Sequence, residues 1–407
     1  MTLTSEAIEI ALRPLLSSAT RFLRELVAVN SHTGNPVGVA ANADLIVEQF
    51  VSFAWESRSR ACQLPETGEH LVLDSGGDGP VIFLISHLDT VYTAEEQAIA
   101  YRGWQESEKI VKGPGVYDIK GGTAMLWLVM RALFLLDEEA FRSVRWIAAW
   151  NAAEERLPDD FAKFCQSLSP SAAAAALVFE GDNAQDGTFE ILTARSGLAR
   201  YHLRARGRGA HSGNDHAAGI NAIEGLASVV LELATLTDYT RNTTVNVGMI
   251  NGGEQTNRVP DFAEAFAEIR FRDPAHFLDV QDRLGRLVHT HPQANKRCAI
   301  DVEMIEMISP LVPTPASEEL ALIWQRAAAD FGISLTAGSR SGLSDGNHFA
   351  DWVPVLDGLG PSGGKAHCIE RTAEGIHIAE YVQLETFLPK AALNVAALHA
   401  LAKRSQA

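Results

Sequence analysis

Residues able to bind a cation or move a proton cluster at five points in the sequence. SHLDT supplies His87 and Asp89, and GPGVYDIKGG supplies Asp118. NAAEE supplies Glu154 and Glu155, FEGD supplies Glu180 and Asp182, and GGKAHC supplies His367. Each alone has an ordinary explanation, because a lone histidine is more often a core or surface residue and adjacent glutamates usually start a solvated helix. Gathered together, the carboxylates would repel one another, so they need a cation or bound protons. A histidine and carboxylate set without sulfur suits Zn²⁺, with Mn²⁺ or Co²⁺ as alternatives. Two imidazoles and three carboxylates exceed what one catalytic zinc uses. They suit two metals about 3.5–4 Å apart that share a carboxylate and a water. One glutamate must then stay unligated as general base, and Glu154 and Glu155 offer a carboxylate for each task.

The surrounding patterns say how these groups meet. VIFLIS (81–86), VRWIAAWN (144–151) and AALVFE (175–180) are apolar runs of strand length, and residues 121–136 and LPDDFAKFCQSL read as helices. Such alternation predicts an α/β domain with a doubly wound, mostly parallel sheet. In an open sheet of this kind ligands gather beyond the carboxyl ends of the strands, where SHLDT, NAAEE, FEGD and the stretch after VPVLDGLG all fall. The pattern changes near Ala199. YHLRARGRG, AAGINAIEGLASVVLELATL, TTVNVGMI, FAEAFAEIRFR, PAHFLDVQDRLGRLVHTH and CAIDVEMIE follow the order βαββαβ of a ferredoxin-like α+β sandwich. The prolines of ISPLVPTP then return the chain to α/β patterns. The expected organisation is a discontinuous metal-binding catalytic domain, 1–198 and 309–407, with an inserted lid or dimerisation domain at 199–308.

The 407 residues exceed one ordinary core, and 46% apolar with 21% charged residues is a globular composition. A net charge of -17 speaks against a nucleic-acid footprint or a polybasic membrane surface. MTLTSEAIEIALRPLL reads as an amphipathic helix and not a signal peptide, and the apolar stretch 123–136 is shorter than a spanning helix needs. Cys62, Cys165, Cys298 and Cys368 have no CxxC spacing, which fits reduced thiols and a cytoplasmic location.

SHLDTVY, GPGVYDIKGG, NAAEE, FEGD and AHCIERTAEGIHIAEY resemble, in order and spacing, the M20 family of dinuclear zinc metallopeptidases, nearest its glutamate carboxypeptidase branch. The resemblance implies that His87 binds one metal, with Asp89 orienting it. It further implies that Asp118 bridges both metals, that the Asp118–Ile119 peptide is cis and that Glu154 is the base. Glu155 and His367 would hold the second metal and Glu180 the first, with Asp182 as the alternative ligand. It places His211 of GRGAHSG at the developing oxyanion, often across a dimer interface. Asn257 of EQTNRVP and Arg270 of EIRF would hold a substrate carboxylate, with Gly342 near the substrate loop. On alternation alone, Arg270 is an exposed partner of Glu268. Departures are Ile119, where a second acid is common, RLPDD after the glutamate pair, and His216, where proline is frequent.

The implied enzyme is a dinuclear zinc-dependent amidohydrolase or metallocarboxypeptidase acting on N-acyl amino acids or small peptides. A homodimer through the inserted domain and closure of that domain over the site are further implications. The alternatives are a biosynthetic deacylase of the acetylornithine or succinyl-diaminopimelate type, and a non-catalytic small-acid or peptide binder. Two rivals come from motifs. GLSDG matches a serine nucleophile pattern at Ser344, with His367 or His377 following, but ISLTAGSRS before it is polar and reads as flexible, not as a buried strand. GPGVYD (113–118) has aspartate where a dinucleotide loop needs its third glycine. Lys120 then reads as a structural charge and not a phosphate ligand.

Overall fold

The strand Val81–His87 is buried along its whole length, and Ile82 to Ile85 are wholly inaccessible to solvent. Each such side chain contributes about 1.5–3 kcal/mol of burial. A strand buried on both faces needs helices above and below it. A computed structural model shows that arrangement. It describes every residue except 1–2, 101–103, 108, 170–172, 184–186, 291–297, 368–372, 374–377 and 405–407. Cys368, His377 and most of the CIERTAEGIH stretch lie outside the described residues.

The chain forms two units. The larger comprises Met1–Thr193, Pro313–Ser339 and Ser344–Ala407, and the smaller comprises Ala194–Val312 and Arg340–Leu343. Residues 340–343 therefore sit with the smaller unit, although the sequence patterns place them with the larger one. In the larger unit the strands Glu56–Ala61, Glu69–Asp74, Arg145–Asn151, Val81–His87, Ala175–Val178 and Val355–Leu356 lie side by side in that order. The last four are parallel, and Glu69–Asp74 is antiparallel to both of its neighbours, so the sheet is mostly parallel as its apolar runs require. The helices Gly121–Leu136, Pro315–Asp330 and Phe387–Arg404 pack around the same core.

The apolar run is longer than the sequence suggests. Val116–Leu136 is long and apolar enough to cross a bilayer, but 78% of its apolar window is buried inside the protein. A kink at Asp118 and Ile119 separates its first turn from the regular helix. Gly122 packs so close to Phe179 O that a Cβ would collide with that carbonyl, which brings the helix start against the strand end after Val178.

The smaller unit is an antiparallel sheet in the order Thr244–Gly252, Phe262–Phe271, Gly197–Arg206, Ala299–Ile308. The helices Ala222–Ala234 and Pro274–Thr290 share its core, giving the ferredoxin-like βαββαβ order. Alternation places Ala263, Ala265, Ala267, Ile269 and Phe271 inward, and all five are buried. ISLTAGSRS departs from expectation: Ser334–Arg340 is a strand paired with Thr188–Arg195. Its face is largely exposed, so apolar periodicity did not reveal it. AALVFE also ends early, at Val178, leaving Phe179 and Glu180 in the following loop.

Candidate metal centre

The parallel strands deliver their carboxyl ends to one place. His87 is the last residue of its strand and is 2% exposed. Its Nδ1–H donates to Asp89 O at 3.0 Å, which turns Nε2 toward the acids. Nε2 lies 3.0 Å from Asp118 Oδ1, 3.8 Å from Glu180 Oε1 and 4.0 Å from Glu154 Oε2. The Asp89 carboxylate does more than orient His87, from whose Nδ1 its Oδ1 is 3.4 Å away. It accepts the backbone N–H of Glu154 at 3.0 Å and of Glu155 at 3.3 Å, and the Thr33 hydroxyl at 2.7 Å. One carboxylate thereby ties the histidine to the glutamate pair.

Asp118 faces both ways. Oδ1 meets His87, and Oδ2 lies 3.2 Å from His367 Nε2, which is itself 2.9 Å from Glu155 Oε2. His87, Asp118 and Glu180 form one triad, and Asp118, Glu155 and His367 form another. The Asp118–Ile119 peptide is cis. Gly115 turns the loop at φ 69°, where a Cβ would also press on Thr90 Cγ2 at 2.5 Å. Glu380 holds the loop from below. Its Oε1 accepts the N–H groups of Tyr117 at 2.6 Å and Asp118 at 2.9 Å, and its Oε2 accepts the Tyr92 hydroxyl at 2.7 Å. Glu380 lies in AHCIERTAEGIHIAEY, a stretch that by residue type alone assigns it no task. Its separation of more than 260 positions from Asp118 left no local signal.

Asp182, the alternative to Glu180, is turned away into a buried ion pair with Lys390 at 2.9 Å. Lys120 is buried, and its amine donates to Val29 O at 2.9 Å. Burial pulls its pKa down to about 7.

Charge in the cluster is strongly perturbed. Burial, Asp345 and the neighbouring glutamates push Glu154 well above the carboxylate range, against the pull of His87. Burial and Asp118 push Glu155 up to about 7. Burial lowers His87, but hydrogen bonds to Asp118 and Asp89 outweigh it and raise it. Hydrogen bonds to Asp118 and Glu155 raise His367 to about 11. Burial raises Asp118, yet its two histidines hold it well below the usual range. Glu155 Oε1 is buried with no hydrogen-bond partner, so its lone pairs are unsatisfied. The donor set and this orphaned oxygen fit divalent metal.

The remaining predicted residues lie in the smaller unit. His211 is exposed, and its Nδ1 accepts the N–H groups of Gly213 and Asn214, both at 3.1 Å. Nε2 must then carry the proton and is a donor. Asn257 and Gly342 are exposed. Arg270 forms the ion pair anticipated from alternation, with Glu268 Oε1 at 2.6 Å, and donates to Ser341 O at 3.1 Å. A cavity of about 530 Å³ is lined by Ser212, His216, Asn221, Gln255, Thr256 and Arg258 and belongs to this unit as well. The serine-hydrolase rival finds no support. Ser344 is wholly buried, and its hydroxyl donates to Asp357 Oδ2 at 2.7 Å.

The larger unit is an α/β fold with two His and carboxylate triads that share Asp118, and an α+β unit is inserted in its chain. Residues 193–295 match the model of the peptidase dimerisation domain. Carboxypeptidase G2 of Pseudomonas sp. (strain RS-16) is 26% identical over 286 residues, covering 70% of this chain and 66% of that protein. A probable carboxypeptidase of Aspergillus fumigatus is 27% identical over 292 residues, covering 65% and 63%. The alignments thus span slightly less than two thirds of these relatives. In fold, the aminopeptidase PepT of Bacillus cereus superposes with a TM-score of 0.74 at 20% identity, over 95% of this chain and 99% of that one. An M20 family metallo-carboxypeptidase of Sulfolobus solfataricus does so with 0.68 at 14%, over 94% and 99%. The chain is thus similar to carboxypeptidases in sequence and to M20 family peptidases in fold.

Proposed function

We propose that the protein is a metal-dependent hydrolase that cleaves an amide or peptide bond next to a free carboxylate, as a carboxypeptidase or N-acyl amino acid hydrolase. The observation that carries this is the pair of triads sharing Asp118, with Glu154 beside them and in neither. The carboxypeptidase relatives support the carboxylate-bearing substrate.

His87, Asp118 and Glu180 would hold one divalent metal, and Asp118, Glu155 and His367 the other, most simply zinc. Bound there, the metals supply Lewis acidity and a water of lowered pKa. Glu154 Oε2 takes the proton of the attacking water and later passes it to the leaving amine. Its burial among acids raises its proton affinity, which suits a base that must hold a proton between two steps. Asp89 fixes the base by gripping its backbone amide. His211, with its proton on Nε2, is equipped to donate to an oxyanion. Arg270 would exchange Glu268 for the substrate carboxylate, a bidentate match.

Glu154→Gln is expected to keep full metal content and lose about 10²–10⁴-fold in kcat. Normal turnover by that variant would remove Glu154 as the base. The smaller unit is proposed to pair two copies through the edge strand Thr244–Gly252, which exposes Met249 and Ile250. Light scattering is expected to give twice the chain mass, and Ile250→Lys to shift it toward one.

A further inference from the structure

The turn that presents Glu154 and Glu155 is held by side chains at four consecutive backbone amides. Ala152 N–H donates to His70 Nδ1 at 3.1 Å, and Ala153 N–H to Asn151 Oδ1 at 2.9 Å. Glu154 N–H and Glu155 N–H donate to the two oxygens of Asp89. Asn151 is fixed in turn by Asp345 Oδ1, 2.7 Å from its Nδ2. His70 is fixed by Asp160, whose Oδ2 lies 3.2 Å from His70 Nε2 and also accepts Gln63 N–H at 2.6 Å. His70 is wholly buried against Phe161, with ring centroids 5.3 Å apart.

Cys62, His70 and Asp160 have the residue types of a third cation site. The hydrogen bonds decide against it. Nδ1 accepts a backbone N–H, so Nε2 carries the only proton of the neutral ring and donates it to Asp160. Neither nitrogen has a lone pair to offer a metal. Burial also lowers the pKa of His70, which keeps the ring in this neutral form.

We propose that His70 and Asp160 are positioning residues that set the backbone of the Ala152–Glu155 turn, and through it the placement of the base Glu154 and the ligand Glu155. This rests on the proposed two-metal hydrolase for its consequence, though not for its geometry. The sequence hid the dyad. His70 sits within EHLVLD, where it passes for a strand residue, and Asp160 lies 90 positions away.

The test compares full-length protein with His70→Leu, which removes the acceptor, and His70→Asn, whose Oδ1 can replace Nδ1. In metal-free protein, His70→Leu is expected to speed hydrogen exchange at the amides of 152–155 at least about tenfold, with His70→Asn restoring most of the protection. Zinc affinity, measured by competition with a chromophoric chelator, is expected to fall about 10–100-fold in His70→Leu and to recover in His70→Asn. Should His70→Leu fail to fold, Asp160→Asn carries the same comparison in the same direction. Unchanged exchange overturns the proposal. Faster exchange with unchanged zinc affinity makes the dyad merely structural and also overturns it. A third equivalent of zinc lost in Cys62→Ser would make the cluster a cation site instead. If the wild type binds no zinc at all, the hydrolase assignment fails, and the exchange comparison alone decides the dyad.

Discussion

The two histidines of the cluster are held in opposite ways. His87 ends a central strand, its side chain is 1% exposed, and its ring is fixed by Asp89 O. His367 stands on a loop at φ 53°, and its side chain is 50% exposed. Both reach the same carboxylate at nearly the same distance, 3.0 and 3.2 Å. The strand-end half therefore takes its geometry from the core, whereas His367 takes its place from Asp118 and Glu155. One half should survive without metal and the other should depend on it.

The strongest way to break this contrast is to remove what both halves share. Asp118→Asn is expected to abolish occupancy of both sites, and activity should fall beyond the 10–100-fold typical of outer partners. Metal analysis beside turnover checks this, and one metal retained at full affinity would show that Asp118 does not bridge. Next in size is the difference between the histidines themselves. His87→Ala should lower the melting temperature of the metal-free protein, because it opens a cavity at a buried strand end. His367→Ala should leave that temperature unchanged while losing one metal equivalent. Equal melting shifts would erase the proposed asymmetry.

The smallest expected effect concerns pH. Burial raises Asp345 to about 7, although Asn151 stabilises its anion. The unfolded chain releases that proton near pH 4, so between about 4 and 7 the folded protein binds more protons. Stability then falls as pH rises through this window. Asp345→Asn should flatten that part of the metal-free stability profile. A profile as steep as the wild type's would place the titration elsewhere.

The parts legible in the sequence were those with short-range causes. Apolar runs marked the central strands because burial on both faces leaves no polar position. Alternation in FAEAFAEIRF marked a one-sided strand for the same reason, and it also foresaw the Arg270–Glu268 pair. Residue types at strand ends named the cluster. What stayed hidden depended on distant partners. Lys390, 208 positions away, takes Asp182 out of the cluster and leaves Glu180 in it. Glu380 and His70 act on backbone amides, which carry no sequence signature. Ser334–Arg340 became a strand through pairing with Thr188–Arg195, without an apolar face to announce it.

The sequence by itself determined the sheet, the inserted α+β unit and a set of acids and imidazoles that cannot gather without compensating charge. These follow from burial and repulsion, which residue type and local order dictate. Tertiary structure alone decided which acid faces which histidine, and which groups grip the turn between them. Those choices hang on contacts of about 3 Å between residues far apart in the chain, and only the folded backbone sets such distances.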